Sequence, residues 1–247
     1  MTIHPDLKGC TASNDGANNT GRVVEAGLRC PNEVQHTIVR LSTVVRMCSR
    51  LWDMTKLGDE RRTGVLRTAV HAASIEGLEG LTLGRLAVVS GVPKSALQAL
   101  FGTKESLQLA IVAYAVDIFQ HEVLTPSADV PDGLARLRVV MESWIDYLII
   151  FDGGCLFVAS ASELDGRPGP TRDAITDAVV SGESLLVRQT DLAQRLGELP
   201  TEPDPEQVAF ELHAVLLKAN HDRQLLARDD ALNRARTALD RILPPAP

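Results

Sequence analysis

Aromatic side chains are scarce in this chain: two Trp, two Tyr and five Phe among 247 residues. Ala and Leu dominate instead, and no alternation of apolar and polar residues is long enough to mark a strand, so helices are favoured over sheet. Cysteine is equally sparse. Cys10, Cys30, Cys48 and Cys155 make no CxxC pair and have no metal-ligand spacing, which excludes a zinc ribbon and points to a reducing, cytoplasmic setting. Cys155 keeps two readings, a small apolar packing residue or a redox trigger. No run of eighteen apolar residues exists, so no membrane span is expected, and the N-terminus lacks the basic-then-apolar pattern of a secretory signal. P-loop, dinucleotide fingerprint, nucleophile elbow and HExxH are all missing. Asp152-Gly153-Gly154 reads as a helix breaker, since no strand precedes it. The expectation is a protein that is not an enzyme, with no catalytic residue, no metal and no cofactor. No internal repeat is visible, and a hydrophobic fraction of 45% supports a buried core.

What is present is concentrated in Thr82–Phe101 (TLGRLAVVSGVPKSALQALF) and the GTKESL that follows. Thr82 suits an N-cap before the apolar Leu83, Leu86 and Ala87. Ser90-Gly91 ends that helix, because glycine takes the left-handed conformation at a helix C-terminus. Pro93 suits the first turn of the next helix. Lys94, Ser95, Ala96, Gln98 and Ala99 then make a polar, small face anchored by Leu97, Leu100 and Phe101. Two short helices about a glycine turn, the second presenting a basic and polar face, are the parts of a DNA-reading helix-turn-helix. Thr103 caps a further helix.

Residues 60–108 resemble the DNA-binding domain of the TetR family of bacterial one-component regulators. The landmarks, in order, are EGLEGLT (76–82), the Leu86-Ala87 pair, SGVPKSAL (90–97), Phe101 and the T-K-E step at 103–105. The resemblance implies an all-α protein: an N-terminal three-helix DNA-binding domain and a C-terminal helical domain for ligand binding and dimerisation. It implies DNA contacts by Thr82, Lys94, Ser95, Ala96, Gln98, Ala99 and Lys104, with Thr82 and Lys104 on phosphate. Two positions depart from the family. Gln98 stands where an aromatic residue is usual, and Leu100 where His or Tyr is common. Gln98 can still hydrogen-bond a phosphate or an adenine edge. Leu100 is expected to pack, and either the affinity for DNA is expected to be modest or the geometry of its binding atypical.

Charge divides along the chain in the same sense. Residues 55–108 hold seven Lys/Arg against five Asp/Glu, and residues 109–247 hold twelve against twenty-two. A slightly basic head on an acidic body fits a protein that meets DNA with the head alone, although acidic helix surfaces also serve solubility. The boundaries expected are 1–54, 55–108 and 109–247. The first segment opens with a Gly-, Asn- and Thr-rich stretch that reads as disordered or as a mis-assigned start. Within it, Val34, Ile38, Leu41, Val45, Cys48 and Trp52 make one helical stripe.

In the body, helices are expected over about 104–124, 132–150, 155–163, 171–197, 205–226 and 230–242, with Leu196 inward and Gly182 marking a close contact or bend. The first of these joins head to body without a breaker and is the natural lever between them. The resemblance places a small-molecule pocket among the middle helices, with Phe119, Trp144, Tyr147, Phe151 and Phe157 as lining candidates and an apolar or aromatic effector as the suitable ligand. Each of these residues also suits ordinary core. Asp146, Glu163 and His residues 121, 213 and 221 are candidate polar handles or solvated surface. The last two helices would pair with their twins in a homodimer through Val208, Leu212, Val215, Leu216, Leu232, Leu239 and Ile242, residues that equally suit the monomer's own core. The resulting expectation is a ligand-responsive transcriptional repressor on a palindromic double-stranded operator. The alternative is a helical ligand-binding or interaction module whose DNA binding is weakened or lost.

Overall fold

The computed structural model describes residues 56–244, so the stripe at 34–52 lies outside the described residues. The described part is helical, with no strand among the described residues. Three helices form the head: α1 Lys56–Glu76, α2 Leu83–Ser90 and α3 Lys94–Phe101. Then come α4 Lys104–Phe119, α5 Leu134–Tyr147, α6 Leu156–Leu164, α7 Pro170–Arg195, α8 Pro205–Gln224 and α9 Ala231–Ile242.

The helix boundaries follow from local chemistry. Thr82 Oγ1 accepts the Arg85 N–H at 3.1 Å, and Gly91 at φ 67° ends α2 in the left-handed region. Pro93 caps α3 with an extended ψ of 138°, so it sits one residue earlier than its expected place in the first turn. Thr103 Oγ1 accepts the Ser106 N–H at 3.0 Å to start α4. Asp204 accepts the Gln207 N–H at 2.8 Å, and Pro205 follows as the first residue of α8. Regular α-helix in α4 stops at Phe119. A π turn, Gln120–Leu124, and a short 3-10 turn, Thr125–Ser127, then complete the stretch expected as helix to 124.

The head's core is made by Val65, Leu66, Ala69, Val70 and Ala73 of α1 with Leu86, Leu97, Leu100 and Phe101. Leu100 packs, as its side chain requires. The Arg62 guanidinium lies 5.5 Å from the centre of the Phe101 ring and ties α1 to α3. Lys104–Ser127 is long and apolar enough to cross a membrane by length and composition. Here, however, Leu107, Ile111, Val112 and Ala115 are buried in the core, where α4 packs on α1 and α7.

In the body, Leu134, Leu137, Met141, Trp144 and Leu148 are buried, as the 3-4 spacing of α5 predicts. Leu196 is corrected: α7 ends at Arg195, and Leu196 lies beyond it, 59% exposed. Val208, Leu212, Leu216 and Leu239 are enclosed by the chain itself, while Val215, Leu232 and Ile242 are partly buried against the same core. The apolar side chains that α7, α8 and the turn after α8 leave in the open are Val180, Phe210, Leu217, Leu225 and Leu226.

Candidate functional site: an exposed helix face and an apolar cavity

The second helix of the helix-turn-helix, α3, keeps Lys94, Ser95, Gln98 and Ala99 exposed and Ala96 half-buried, while its other face is locked into the head by Leu97 and Phe101. Lys94 has no partner among the described residues. Two other candidates are engaged within the chain. The Gln98 side-chain amide donates to the Gly102 carbonyl. Lys104 Nζ donates to the Glu79 carbonyl at 2.8 Å and to its carboxylate at 3.1 Å. Hydrogen bonds from Gln108 and then Lys104 hold the Glu79 carboxyl below the usual carboxylate range. Arg85 grips Glu76 through two of its nitrogens, at 2.6 and 2.8 Å, and lowers that carboxyl likewise.

The α1–α2 turn is where the body meets the head. The Glu163 carboxylate, on α6, accepts the Leu78 N–H at 2.8 Å and the Glu79 N–H at 3.0 Å. Gln108 of α4 donates to the Leu78 carbonyl at 3.0 Å. Gly77, at φ 79°, leaves room for this clasp, since a Cβ there would lie 2.6 Å from Glu163 Oε1. Glu163 is therefore a structural acceptor, neither a pocket handle nor a solvated acid.

A cavity of about 620 Å³ lies in the body, walled by α4, the π turn, α5, α6, α7 and α8. Phe119 anchors its aromatic wall, edge-on to Trp144 at 4.9 Å and to Phe157 at 6.2 Å. These three of the five aromatic candidates line it. Tyr147 and Phe151 do not. Tyr147 is fully buried 5.3 Å behind Phe119, and Phe151 packs on Tyr147 at 6.2 Å. Burial drives the Tyr147 hydroxyl pKa far upward, and the hydroxyl oxygen has no hydrogen-bond partner.

Among the candidate polar handles, only His213 reaches the cavity. Asp146 pairs with Arg236 on the surface, and His121 and His221 sit beside Glu122 and Asp222. Cys155 also lines the cavity. It is a free, buried thiol whose pKa burial pushes up to about 11, which disfavours the reactive thiolate. Sequence reasoning missed Arg136, Arg188 and Gln189 and the π-turn wall of Gln120 and Leu124. The one available signal was Gly182, part of an α7 row with Ala178, Leu185 and Gln189. A Cβ on Gly182 would lie 3.0 Å from the Trp144 ring, so the expected close contact is made to a side chain. No cluster of His, Cys, Asp or Glu able to hold a metal occurs among the described residues.

Among the described residues, a helix-turn-helix head precedes a hollow helical body. Residues 133–239 match the family model described as Tetracyclin repressor-like, C-terminal domain. Solved structures share the fold. A TetR transcriptional regulator from Chloroflexus aurantiacus has 20% sequence identity and a TM-score of 0.68, covering 75% of this chain and 96% of its own. AibR in complex with isovaleryl coenzyme A and operator DNA has 23% identity and a TM-score of 0.62, covering 75% and 99%. E. coli NemR in its reduced form has 20% identity and a TM-score of 0.63, covering 76% and 100%. No curated protein matches by sequence. The chain thus shares the fold of these regulators, and its residues 133–239 match the tetracyclin repressor-like C-terminal domain.

Proposed function

We propose that the protein is a cytoplasmic, ligand-responsive transcriptional repressor, not an enzyme, that binds a palindromic operator as a homodimer and leaves it when a small apolar or aromatic molecule fills the body. The observation that carries this reading is the pairing, in one compact unit, of an exposed α3 face with an apolar cavity of about 620 Å³. AibR, of the same fold, is described with both an acyl-coenzyme A and operator DNA, which supports the pairing of the two functions. Thr82, Lys94, Ser95, Ala96, Gln98 and Ala99 would meet the duplex. Lys104 would add a phosphate contact only by sharing its ammonium with Glu79.

Selection of bound DNA from a random pool tests the reading. The expected product is a palindrome whose half-sites are about one helical turn apart. A pool that yields no enriched sequence would refute it. Two internal bonds, Gln98 to Gly102 and Lys104 to Glu79, favour the second reading, a TetR-fold ligand-binding module with weakened DNA contact. That reading gains if the pool stays unenriched while small molecules still raise the melting temperature.

A further inference from the structure

The cavity's polar groups are nearly all satisfied by the protein itself. Thr125 and Ser127 hydroxyls donate to the Gln120 and Leu124 carbonyls at 3.0 and 2.9 Å, and Ser181 donates to the Asp177 carbonyl at 2.6 Å. Gln189 accepts the Gly133 N–H through Oε1 and donates to Asp132 through Nε2, both at 2.8 Å. Arg136 donates to the Val130 and Ala128 carbonyls and to Asp132. Arg188 is also engaged within the chain. No Asp or Glu lines the cavity among the described residues.

His213 differs from these groups. Its Nδ1 lies 2.9 Å from Glu183 Oε1, and its side chain is 16% exposed. Glu183 is outside the cavity wall, so the opposite ring edge, which carries Nε2, faces away from the carboxylate. That nitrogen has no partner among the described residues. The ring rests 6.0 Å from that of Trp144, tilted by 37°. In the neutral ring, a carboxylate on Nδ1 fixes the tautomer with the proton there and leaves Nε2 as an acceptor.

We propose that the cavity takes an uncharged aromatic molecule bearing a hydroxyl group, and that His213 Nε2, positioned by Glu183, accepts the hydrogen bond from that hydroxyl. The proposal rests on the ligand-binding reading above and names the class of ligand. A cation would find no acid in the wall. An anion would leave water for a largely apolar wall in which Arg136 already donates to Asp132 and two backbone carbonyls, a transfer that costs far more than one hydrogen bond returns. Gln120 and the Trp144 indole N–H, the remaining polar groups of the wall, are uncharged and suit a neutral ligand. The apolar remainder, with Phe119, Trp144 and Phe157, fits aromatic rings.

The test is calorimetric titration of the full chain with three probes of one skeleton: biphenyl, 4-hydroxybiphenyl and biphenyl-4-carboxylate. The hydroxyl compound should bind about tenfold more tightly than biphenyl, the gain expected of one buried neutral hydrogen bond. The carboxylate should bind more weakly than either. His213→Leu should erase the hydroxyl preference, so that biphenyl and 4-hydroxybiphenyl bind equally, and binding of either one shows that the variant folds. Should His213→Leu not fold, His213→Gln carries the test, its amide oxygen restoring part of the preference. Glu183→Ala should reduce the preference without touching biphenyl. Equal binding of biphenyl and 4-hydroxybiphenyl, a preference surviving in His213→Leu, or a preference for the carboxylate would overturn the proposal while the cavity stands as a ligand site. Failure of all three probes to bind would overturn the ligand-binding reading itself, and this proposal with it.

Discussion

Gly153 and Gly64 show how the surroundings of a residue set its worth. A Cβ on Gly153 would lie 2.0 Å from the Ser74 carbonyl oxygen and 2.5 Å from the Ile75 nitrogen, so the loop after α5 touches the backbone of α1 directly. Backbone on both sides cannot yield. Gly64 lies inside α1 with nothing within 4 Å of its missing Cβ. Gly153→Ala is therefore expected to lower the unfolding free energy by about 3 kcal/mol, as overpacking against a fixed backbone does. Gly64→Ala should raise it by up to about 1 kcal/mol through helix propensity alone. Denaturant titration of the two variants beside wild type checks both signs. A loss under about 1 kcal/mol at Gly153 would mean that the two segments can separate freely. In the structure α5 already ends at Tyr147, whereas the sequence marked Asp152-Gly153-Gly154 as the breaker of a helix running to about 150. It held no sign that the second residue was a contact between head and body, because that contact is made by backbone and leaves no side-chain pattern.

At the scale of elements, two helices connect the cavity to the head. Through Val116 and Phe119, α4 reaches the cavity, and its first turn, at Lys104, holds Glu79. Phe157, Val158 and Ala161 of α6 line the same cavity, and Glu163, within a turn, clasps the α1–α2 turn. A ligand pressing on α6 thus acts on the segment that leads into the helix-turn-helix. Glu163→Ala is expected to leave operator affinity within about threefold of wild type and to weaken ligand-driven release about fivefold. A loss of that size is on the order of 1 kcal/mol of coupling. Operator binding measured with and without a ligand found by thermal-shift screening decides it. Unchanged release would assign the coupling to α4 alone.

The continuity of α4 was legible in its sequence because no breaker interrupts it, and the caps at Thr82, Thr103 and Asp204 were legible because their side chains act locally. The contribution of α6 was not legible, since it depends on an 85-residue separation closed by a carboxylate. Periodicity also named the inward faces of α5 and α8 without saying whether inward meant core or cavity. Tyr147 and Phe151 consequently proved to be packing behind the wall, and Leu212 and Leu216 proved to lie in the monomer's own interior.

At the scale of the whole molecule, the charge division and the exposed apolar residues bear on the same question. Residues 109–247 carry twelve basic against twenty-two acidic side chains, so the body is repelled by a duplex and the head alone is left to approach it. One head offers little: of the α3 candidates, only Lys94 brings a positive charge. Useful affinity then requires two heads held together at half-sites about 34 Å apart. On the proposed homodimer reading, the surface offered for holding them is on α8, where Phe210 is 68% exposed and Ala214 lies one turn further along the same exposed stripe. Neither residue lines the cavity or belongs to the core. Phe210→Glu combined with Ala214→Glu should convert a dimer into monomers in sedimentation equilibrium while leaving the helical circular dichroism unchanged. Operator affinity should fall at least about 100-fold in the same variant, because the second head then loses the effective concentration that linkage provides. A variant that still sediments as a dimer would place the partner on another face. One that becomes monomeric yet keeps its operator affinity would show that a single head suffices and that the palindromic reading is wrong.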